Sequence, residues 1–380
     1  MTKILITTFH NAHNYGAVLQ AFALCKKIKK LNKDNDVKII NYKNDNILRG
    51  YRLFTPIRKN IIKWIPMILS DIKNYHRNKM RYIEFDNFIN KKLTLTRVYY
   101  TAEELKDNPP EADVYITGSD QVWNPIIVGN LSDIYTLNFG NKSVRRISYA
   151  ASVGETNLIL KYSDEFQEKL KNLNFISVRE ESAKKELEKI TNTHIETVLD
   201  PTLLLTVEEW DNELKKTTVK IDCKYILAYV VEPDNEYIKI VNELSRKTGL
   251  QVIHFGKNNP GYNNVLKSVY TEGPLNFINY IKNAEYVIAT SFHATVFSVL
   301  YQKKFFIIPN KKTGERVTNL LEKLKIKNRV YYSLENFKKI DYTFITNWND
   351  VEKQLIKERN KSINWLNNAL KSNKGRDLNE

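Results

Sequence analysis

The residues best suited to chemistry stand at element joints. In "ATSFHATVFSVLY" a strand-like run, Tyr286 to Thr290, hands over to an apolar helical pattern at Ser291-Phe292-His293. A lone histidine among apolar residues is more often a satisfied core group than a catalyst. This one lies at a joint, with Ser291 able to cap the helix beside it. An imidazole, ordinarily titrating near neutrality, suits general acid work there. Arg179 follows "FISV" directly, at a strand end and a helix start. Its planar guanidinium can clamp a carboxylate or phosphate; the plainer reading is a surface pair with Glu180 or Glu181.

Two loops add polar candidates. In "TGSDQVWNP" Gly118 permits a tight turn, and Ser119 and Asp120 are good helix caps. Asp120 at a strand end suits hydrogen bonds to sugar hydroxyls, and Trp123 can offer a flat face. In "HNAHNYGAVLQAF" Gly16 stands where the first strand meets its helix, so backbone N–H groups can face an anion. Asn14 belongs to the same polar loop. His10 and His13 lie at i, i+3, but no carboxylate or cysteine is close to complete a metal site. A loop that shapes a substrate pocket is the better reading.

These residues need a scaffold that brings strand ends together, and the chain alternates strand-like with helix-like runs. "KILITTF", "DVKIINY", "ADVYITG", "RRISYAAS", "FISVRE" and "ETVLDP" read as strands of a first unit. After Pro201 the pattern restarts with "KYILAYVV", "LQVIHFG", "YVIAT" and "KKFFIIPN". Such alternation predicts an α/β fold of two mostly parallel sheets, that is, two Rossmann-like domains facing across a cleft. The expected division is 1–205, with a helical basic insertion at about 46–93; then 206–345, carrying His293; then a C-terminal helix and tail, 346–380. Ligands collect outside the carboxyl ends of parallel strands, where the candidates fall.

Bulk properties exclude several classes. The 380 residues are 42% hydrophobic and 27% charged, which is globular, and long enough for two domains. Two distant cysteines, Cys25 and Cys223, argue against a disulfide framework and for a reducing, cytoplasmic setting. "MTKILITTF" reads as a core strand rather than a signal peptide, and no apolar stretch is long enough to span a bilayer. The formal charge of +16 is uneven: between Arg49 and Lys92 eleven basic residues face three acidic ones, a net of +8. A solvated helical insertion is the plain reading. The sharper one is peripheral contact with an anionic leaflet at the inner face of the plasma membrane, since Trp64, Ile65 and Met67 to Leu69 accompany the charge. No nucleic-acid fold signature appears.

Six motifs in order resemble the polysaccharide pyruvyl transferase family: "NYGAVLQAFAL", "TGSDQVWNP", "SYAASVG", "SVREESAKKEL", "VLDPTLLL" and "SFHATVFSVLY". The resemblance spans about Ile4 to Asn319. It implies a glycosyltransferase-B-like fold with the acceptor on the N-terminal side. It also implies transfer of a pyruvyl group from phosphoenolpyruvate to two hydroxyls of a sugar, forming a cyclic ketal. The acceptor would be a cell-surface or capsular polysaccharide, lipid-linked or polymeric. The family's donor-binding arginine maps onto Arg179 and its catalytic histidine onto His293. Arg316, in "GERVTNLL", stands where a further basic residue is expected. At the histidine, characterised members resemble Arg-Leu-His, whereas this chain has Ser291-Phe292-His293.

The chemistry agrees with that resemblance. A small polyanionic donor needs fixed cations, for which Arg179, Arg316 and Arg146 are candidates. Arg146 and Ser152 both lie in "RRISYAASVG", within the same motif region. No metal or cofactor is required. The alternative is a sugar-nucleotide glycosyltransferase of the same architecture, with its nucleotide near "TEGPLNFINYIKNAEYV". An idle binding or scaffold protein is the third class.

Overall fold

A computed structural model describes residues 1–54, 61–215, 217, 219, 221–231, 233–309, 314–326, 329–342 and 346–372. Arg58 and Lys59, and the side chains of Lys63 and Trp64, lie outside the described residues.

Among the described residues, twelve strands form two wholly parallel sheets. The first holds β1 (Lys3–Thr7), β2 (Asp36–Tyr42), β3 (Leu95–Tyr99), β4 (Val114–Thr117), β5 (Arg145–Ala151), β6 (Phe175–Val178) and β7 (Ile195–Thr197). Its order is β3-β2-β1-β4-β5-β6-β7. The second holds β8 (Tyr225–Tyr229), β9 (Gln251–Phe255), β10 (Val265–Val269), β11 (Tyr286–Ala289) and β12 (Lys304–Ile307), in the order β10-β9-β8-β11-β12. The central strands are covered on both faces. Every residue of "VYIT" and "YVIA" is buried, as the continuous apolar runs require. The edge strands β3 and β10 each bury one residue, so no apolar run announces them.

Strand order reverses between β1 and β4 in one sheet and between β8 and β11 in the other. Crevices form outside the carboxyl ends at such reversals. Here both open into one cleft of about 560 Å³, walled by the segments that follow all four strands. This is the architecture expected from the alternation.

The first helix, Tyr15–Leu31, lies at the seam. Asn14 caps it, accepting from the Gly16 and Ala17 amides at 3.0 and 3.3 Å. Tyr15 stacks on Phe277 from the other half, with ring centroids 4.6 Å apart and planes 7° apart. A pair of this kind contributes about 0.5–1.5 kcal/mol beyond its buried area.

The basic insertion is helical, Ile61–Lys92, but it is not simply a solvated projection. Phe85, Phe88 and Ile89 enter the main core. Arg81 donates to the Tyr15 hydroxyl (2.6 Å) and to the carbonyls of His13 and Tyr270 (both 2.9 Å), joining both halves of the molecule. Arg77 donates to the Lys257 carbonyl and to Asn258. Lys92 pairs with Glu213. Three of its cations, Arg77, Arg81 and Lys92, are therefore turned inward.

The last helix, Trp348–Lys371, does not stand apart either. It returns to the first sheet, where Ser362 accepts from the Leu199 amide at 2.9 Å and Arg359 donates to the Leu203 carbonyl at 2.7 Å. Among the described residues no helix is long and apolar enough to cross a membrane.

Candidate active site

The cleft site begins at His293, in the first turn of the helix Phe292–Leu300 after β11. Ser291 is its N-cap, with the Ala294 amide 3.5 Å from its hydroxyl. Nε2 of His293 lies 3.6 Å from Oδ2 of Asp200, longer than a hydrogen bond, and has no hydrogen-bond partner among the described residues. A protonated ring there forms an ion pair with that carboxylate. Nδ1 faces Gly16, where the absence of a Cβ leaves room for the ring.

Asp200 organises the layer behind the histidine. It is 1% exposed. Oδ1 accepts from the Thr202 amide (3.0 Å) and hydroxyl (2.6 Å). Oδ2 accepts from Arg179 (2.9 Å) and Ser119 (3.2 Å). Burial alone would raise its pKa. His293, Arg179 and Thr202 outweigh that and hold the carboxyl well below the usual range.

Arg179 is buried, not a surface residue. It also donates to Glu180 at 3.0 Å, and Glu180 in turn accepts from Ser152 at 2.8 Å. Burial opposes its charge, but Glu180, Asp200 and Asp120 raise its pKa above the ordinary value. Its guanidinium lies 4.4 Å over the ring of Phe292. Its Nη2 remains buried without a hydrogen-bond partner among the described residues.

Arg316, in the helix Gly314–Lys323, is the second buried guanidinium. Its pKa is lowered to about 10, first by burial and then by Arg179. No carboxylate pairs with it among the described residues, and its Nε is buried without a partner. Unpaired buried donors are rare because each forfeits its hydration. Two on neighbouring guanidiniums are free to donate to anionic oxygens. Phe292 and Arg316 border both the cleft and a smaller cavity of about 350 Å³ that Arg179 lines.

The candidates therefore divide. His293, Arg316, Asp120, Ser291 and Asn14 line the cleft. Arg179, Ser119 and Ser152 stand behind it, tied through Asp200 and Glu180. Asp120 has the left-handed φ of 76° and accepts from the Gln121 amide at 2.8 Å.

Several expectations need correction. Neither Ser119 nor Asp120 caps a helix; Asn124 caps the short helix Pro125–Val128. The Gly16 amide is occupied by Asn14 and does not face an anion. Trp123 is fully buried with its indole N–H on the Tyr135 carbonyl, so it offers no face to a sugar. Arg146 sits near the start of β5, away from the carboxyl ends. It donates to six backbone carbonyls between Leu137 and Val144, which makes it a structural clamp on that loop. His10 bonds Asn41 and the Thr8 carbonyl, whereas His13 packs against Tyr51, Tyr82 and Phe85. The two rings do not converge. Spacing alone does not single out Asp200 or Glu180 as site residues. Asp200 follows the strand-like "ETVL", and a carboxylate at a strand end was the available signal.

The sequence profile of the family described as polysaccharide pyruvyl transferase matches residues 14–312, well over half the chain. The protein belongs to the polysaccharide pyruvyl transferase family. It is thus an enzyme of the transferase class, and the family indicates polysaccharide pyruvyl transferase activity. No curated protein matches the chain. Among solved structures it is similar to a UDP-N-acetylglucosamine 2-epimerase, at 11% identity and a TM-score of 0.50 over 97% of this chain and 96% of that one. The same enzyme from Rickettsia bellii gives 11% identity and a TM-score of 0.49 over 97% and 98%. An E. coli heptosyltransferase gives 10% and 0.36 over 84% and 96%. At these identities the likeness concerns the fold alone, a glycosyltransferase-B-like pair of α/β halves.

Proposed function

We propose that this pyruvyl transferase uses phosphoenolpyruvate as donor and a sugar of a cell-envelope glycan as acceptor. The observation that carries the reading is the pair of buried guanidiniums, Arg179 and Arg316, each with an unpaired donor, beside His293. A small anion bearing a carboxylate and a phosphate suits such a pair. Arg316 supplies a cation although position 291 is serine.

In this reading His293 protonates the methylene carbon of the donor, and the central carbon becomes electrophilic. A sugar hydroxyl adds there and its proton returns to the ring. The C–O bond to phosphate breaks, the neighbouring hydroxyl closes the ketal, and its proton leaves with the phosphate. Asp200 orients the imidazole and balances its charge. Asp120, on the opposite wall, accepts from acceptor hydroxyls.

The test is incubation with phosphoenolpyruvate and a panel of glycans, followed by phosphate release and mass spectrometry of the acceptor. His293→Ala should fold and lose about 10²-fold or more in turnover, the scale of a lost general acid. Thermal stabilisation by nucleotide sugars but not by phosphoenolpyruvate would replace this reading with a glycosyltransferase.

The acceptor is met, we further propose, at an anionic leaflet. Ile65, Leu69, Ile72 and Ile83 recur on one exposed face of the insertion helix, with Lys73 and Lys79 exposed on its flanks. Each such cation is worth about 1 kcal/mol at an anionic surface. Sedimentation with anionic vesicles at low salt should occur, and Leu69→Ser with Ile72→Ser should reduce it. No sedimentation of the unaltered protein removes the leaflet.

A further inference from the structure

The two buried guanidiniums come from different halves of the molecule. Arg179 follows β6 in the first sheet, and Arg316 stands in the helix Gly314–Lys323, beyond the last strand of the second. Their spacing depends on how the halves are joined nearby, and one hydroxyl makes a join. Oγ1 of Thr156 lies 3.0 Å from the Ser182 hydroxyl and 2.6 Å from Oε1 of Glu315. A carboxylate accepts, so Thr156 donates to Glu315 and Ser182 donates to Thr156. Ser182 is in the first turn of the helix Glu181–Thr191, which begins just after Arg179. Glu315 directly precedes Arg316, in the first turn of its helix, where the dipole favours a negative charge. The relay therefore ties the element carrying one guanidinium to the element carrying the other.

Thr156 forgoes a local role to do this. It is the N-cap of the short helix Asn157–Lys161, where a threonine ordinarily accepts from an amide of the first turn. Its side chain makes no such bond. The loop that delivers it is braced at its other end as well. Ser152 accepts from the Gly154 amide at 3.1 Å and donates at 2.8 Å to Glu180, the carboxylate that also holds Arg179. The arginines repel one another, and Arg179 contributes to the lowered pKa of Arg316 after burial itself. That repulsion favours separation of the two elements, and the bridge opposes it.

We infer that Thr156 and Glu315 are positioning residues: their bond across the seam fixes the spacing of Arg179 and Arg316, so that one anion engages both. They act through the arginines and not by contact with substrate. The inference rests on reading the guanidinium pair as the donor site.

Calorimetry tests it. Phosphoenolpyruvate, and separately inorganic phosphate, are titrated into the unaltered protein, Thr156→Val, Thr156→Ser, Glu315→Ala and the double variant Thr156→Val with Glu315→Ala. Thr156→Val keeps the shape and removes the hydroxyl, whereas Thr156→Ser keeps the hydroxyl. Thr156→Val and Glu315→Ala should each weaken binding of the anion about tenfold, and Thr156→Ser should restore it to within about twofold. By charge alone, loss of a carboxylate near two cations would strengthen anion binding, so a weaker complex in Glu315→Ala reports geometry. The double variant should bind no more weakly than either single one, because the same link is broken. A role confined to holding the halves together would lower the melting temperature and leave affinity unchanged. That result overturns the inference, as do losses that add in the double variant or a serine that fails to rescue. If the unaltered protein binds phosphate but not phosphoenolpyruvate, the donor reading fails and the phosphate series still decides the spacing. Binding of neither anion overturns both.

Discussion

The backbone of Gly16 lies against the imidazole of His293: a Cβ built on Gly16 falls 1.9 Å from Nδ1 and 2.5 Å from Cγ. Alanine in place of a helical glycine ordinarily stabilises, by about 1 kcal/mol. Here the ring must move. Gly16→Ala should leave the melting temperature close to that of the parent and lower turnover about 10²-fold, as for a catalytic group displaced by an ångström. Unimpaired turnover would show that His293 acts from another position or not at all.

Arg316→Gln should separate binding from stability. The arginine is buried beside Arg179 without a paired carboxylate among the described residues, so its removal relieves repulsion. The melting temperature should hold or rise, while phosphoenolpyruvate binds about tenfold more weakly or worse. Calorimetry and thermal unfolding on the same samples decide it. Unchanged donor affinity excludes Arg316 from the donor site.

Asp200→Asn should do the opposite. It keeps the shape but leaves Arg179 with one carboxylate and weakens the hold on His293. A loss of about 3–5 kcal/mol is expected, the usual penalty for breaking a buried ion pair. Denaturant unfolding measures it, and a change below about 1 kcal/mol would mean that Glu180 suffices for Arg179.

Arg146→Met should destabilise without touching catalysis. Six carbonyls lose a shared donor, at about 1 kcal/mol per net hydrogen bond, so a drop of roughly 3 kcal/mol or more is expected. Turnover per folded molecule and donor affinity should match the parent. A selective loss of donor affinity would return Arg146 to the site.

Acid should weaken the fold before the carboxylates titrate. His10, His13 and His254 each have a pKa lowered from 6.5 to about 4, in every case chiefly by burial; Lys43 adds to the first, and Arg81 and Lys43 to the second. In the unfolded chain these rings take up protons near pH 6.5, whereas in the folded protein they resist until about 4. Between those values the unfolded state binds more protons, so stability is full above about 6.5 and declines as pH falls toward 4. The melting temperature should therefore drop between pH 7 and pH 5, and His10→Gln should flatten the slope. A flat profile in the parent contradicts the burial of these rings as neutral groups.

Local spacing made much of the architecture legible. Apolar runs such as "YVIA" and the helix after them placed His293 at a strand end, and the structure puts it there. The edge strands β3 and β10 are not legible in this way, because each buries a single residue and leaves no apolar run. Side-chain destinations were the harder part. Arg146 and Trp123 have the types a sugar site uses, yet their partners lie in the loop between Leu137 and Val144 and at Tyr135, which no spacing rule reports. Besides its neighbour Thr202, Asp200 draws partners from three separate stretches of chain, at Ser119, Arg179 and His293. Only the folded arrangement reveals it as a hub.

The return of the helix Trp348–Lys371 to the first sheet bears on how the protein is made. Domains generally fold in the order in which they leave the ribosome. Here the Leu199 amide, the Leu203 carbonyl and the ring of Tyr149 wait for Ser362, Arg359 and Trp365, which are translated after all five strands of the second sheet. The earlier half therefore emerges with an uncovered flank and must stay clear of aggregation until the later half has been synthesised. A nascent chain arrested before Trp348 should be more readily proteolysed in its first two hundred residues than one arrested beyond Lys371.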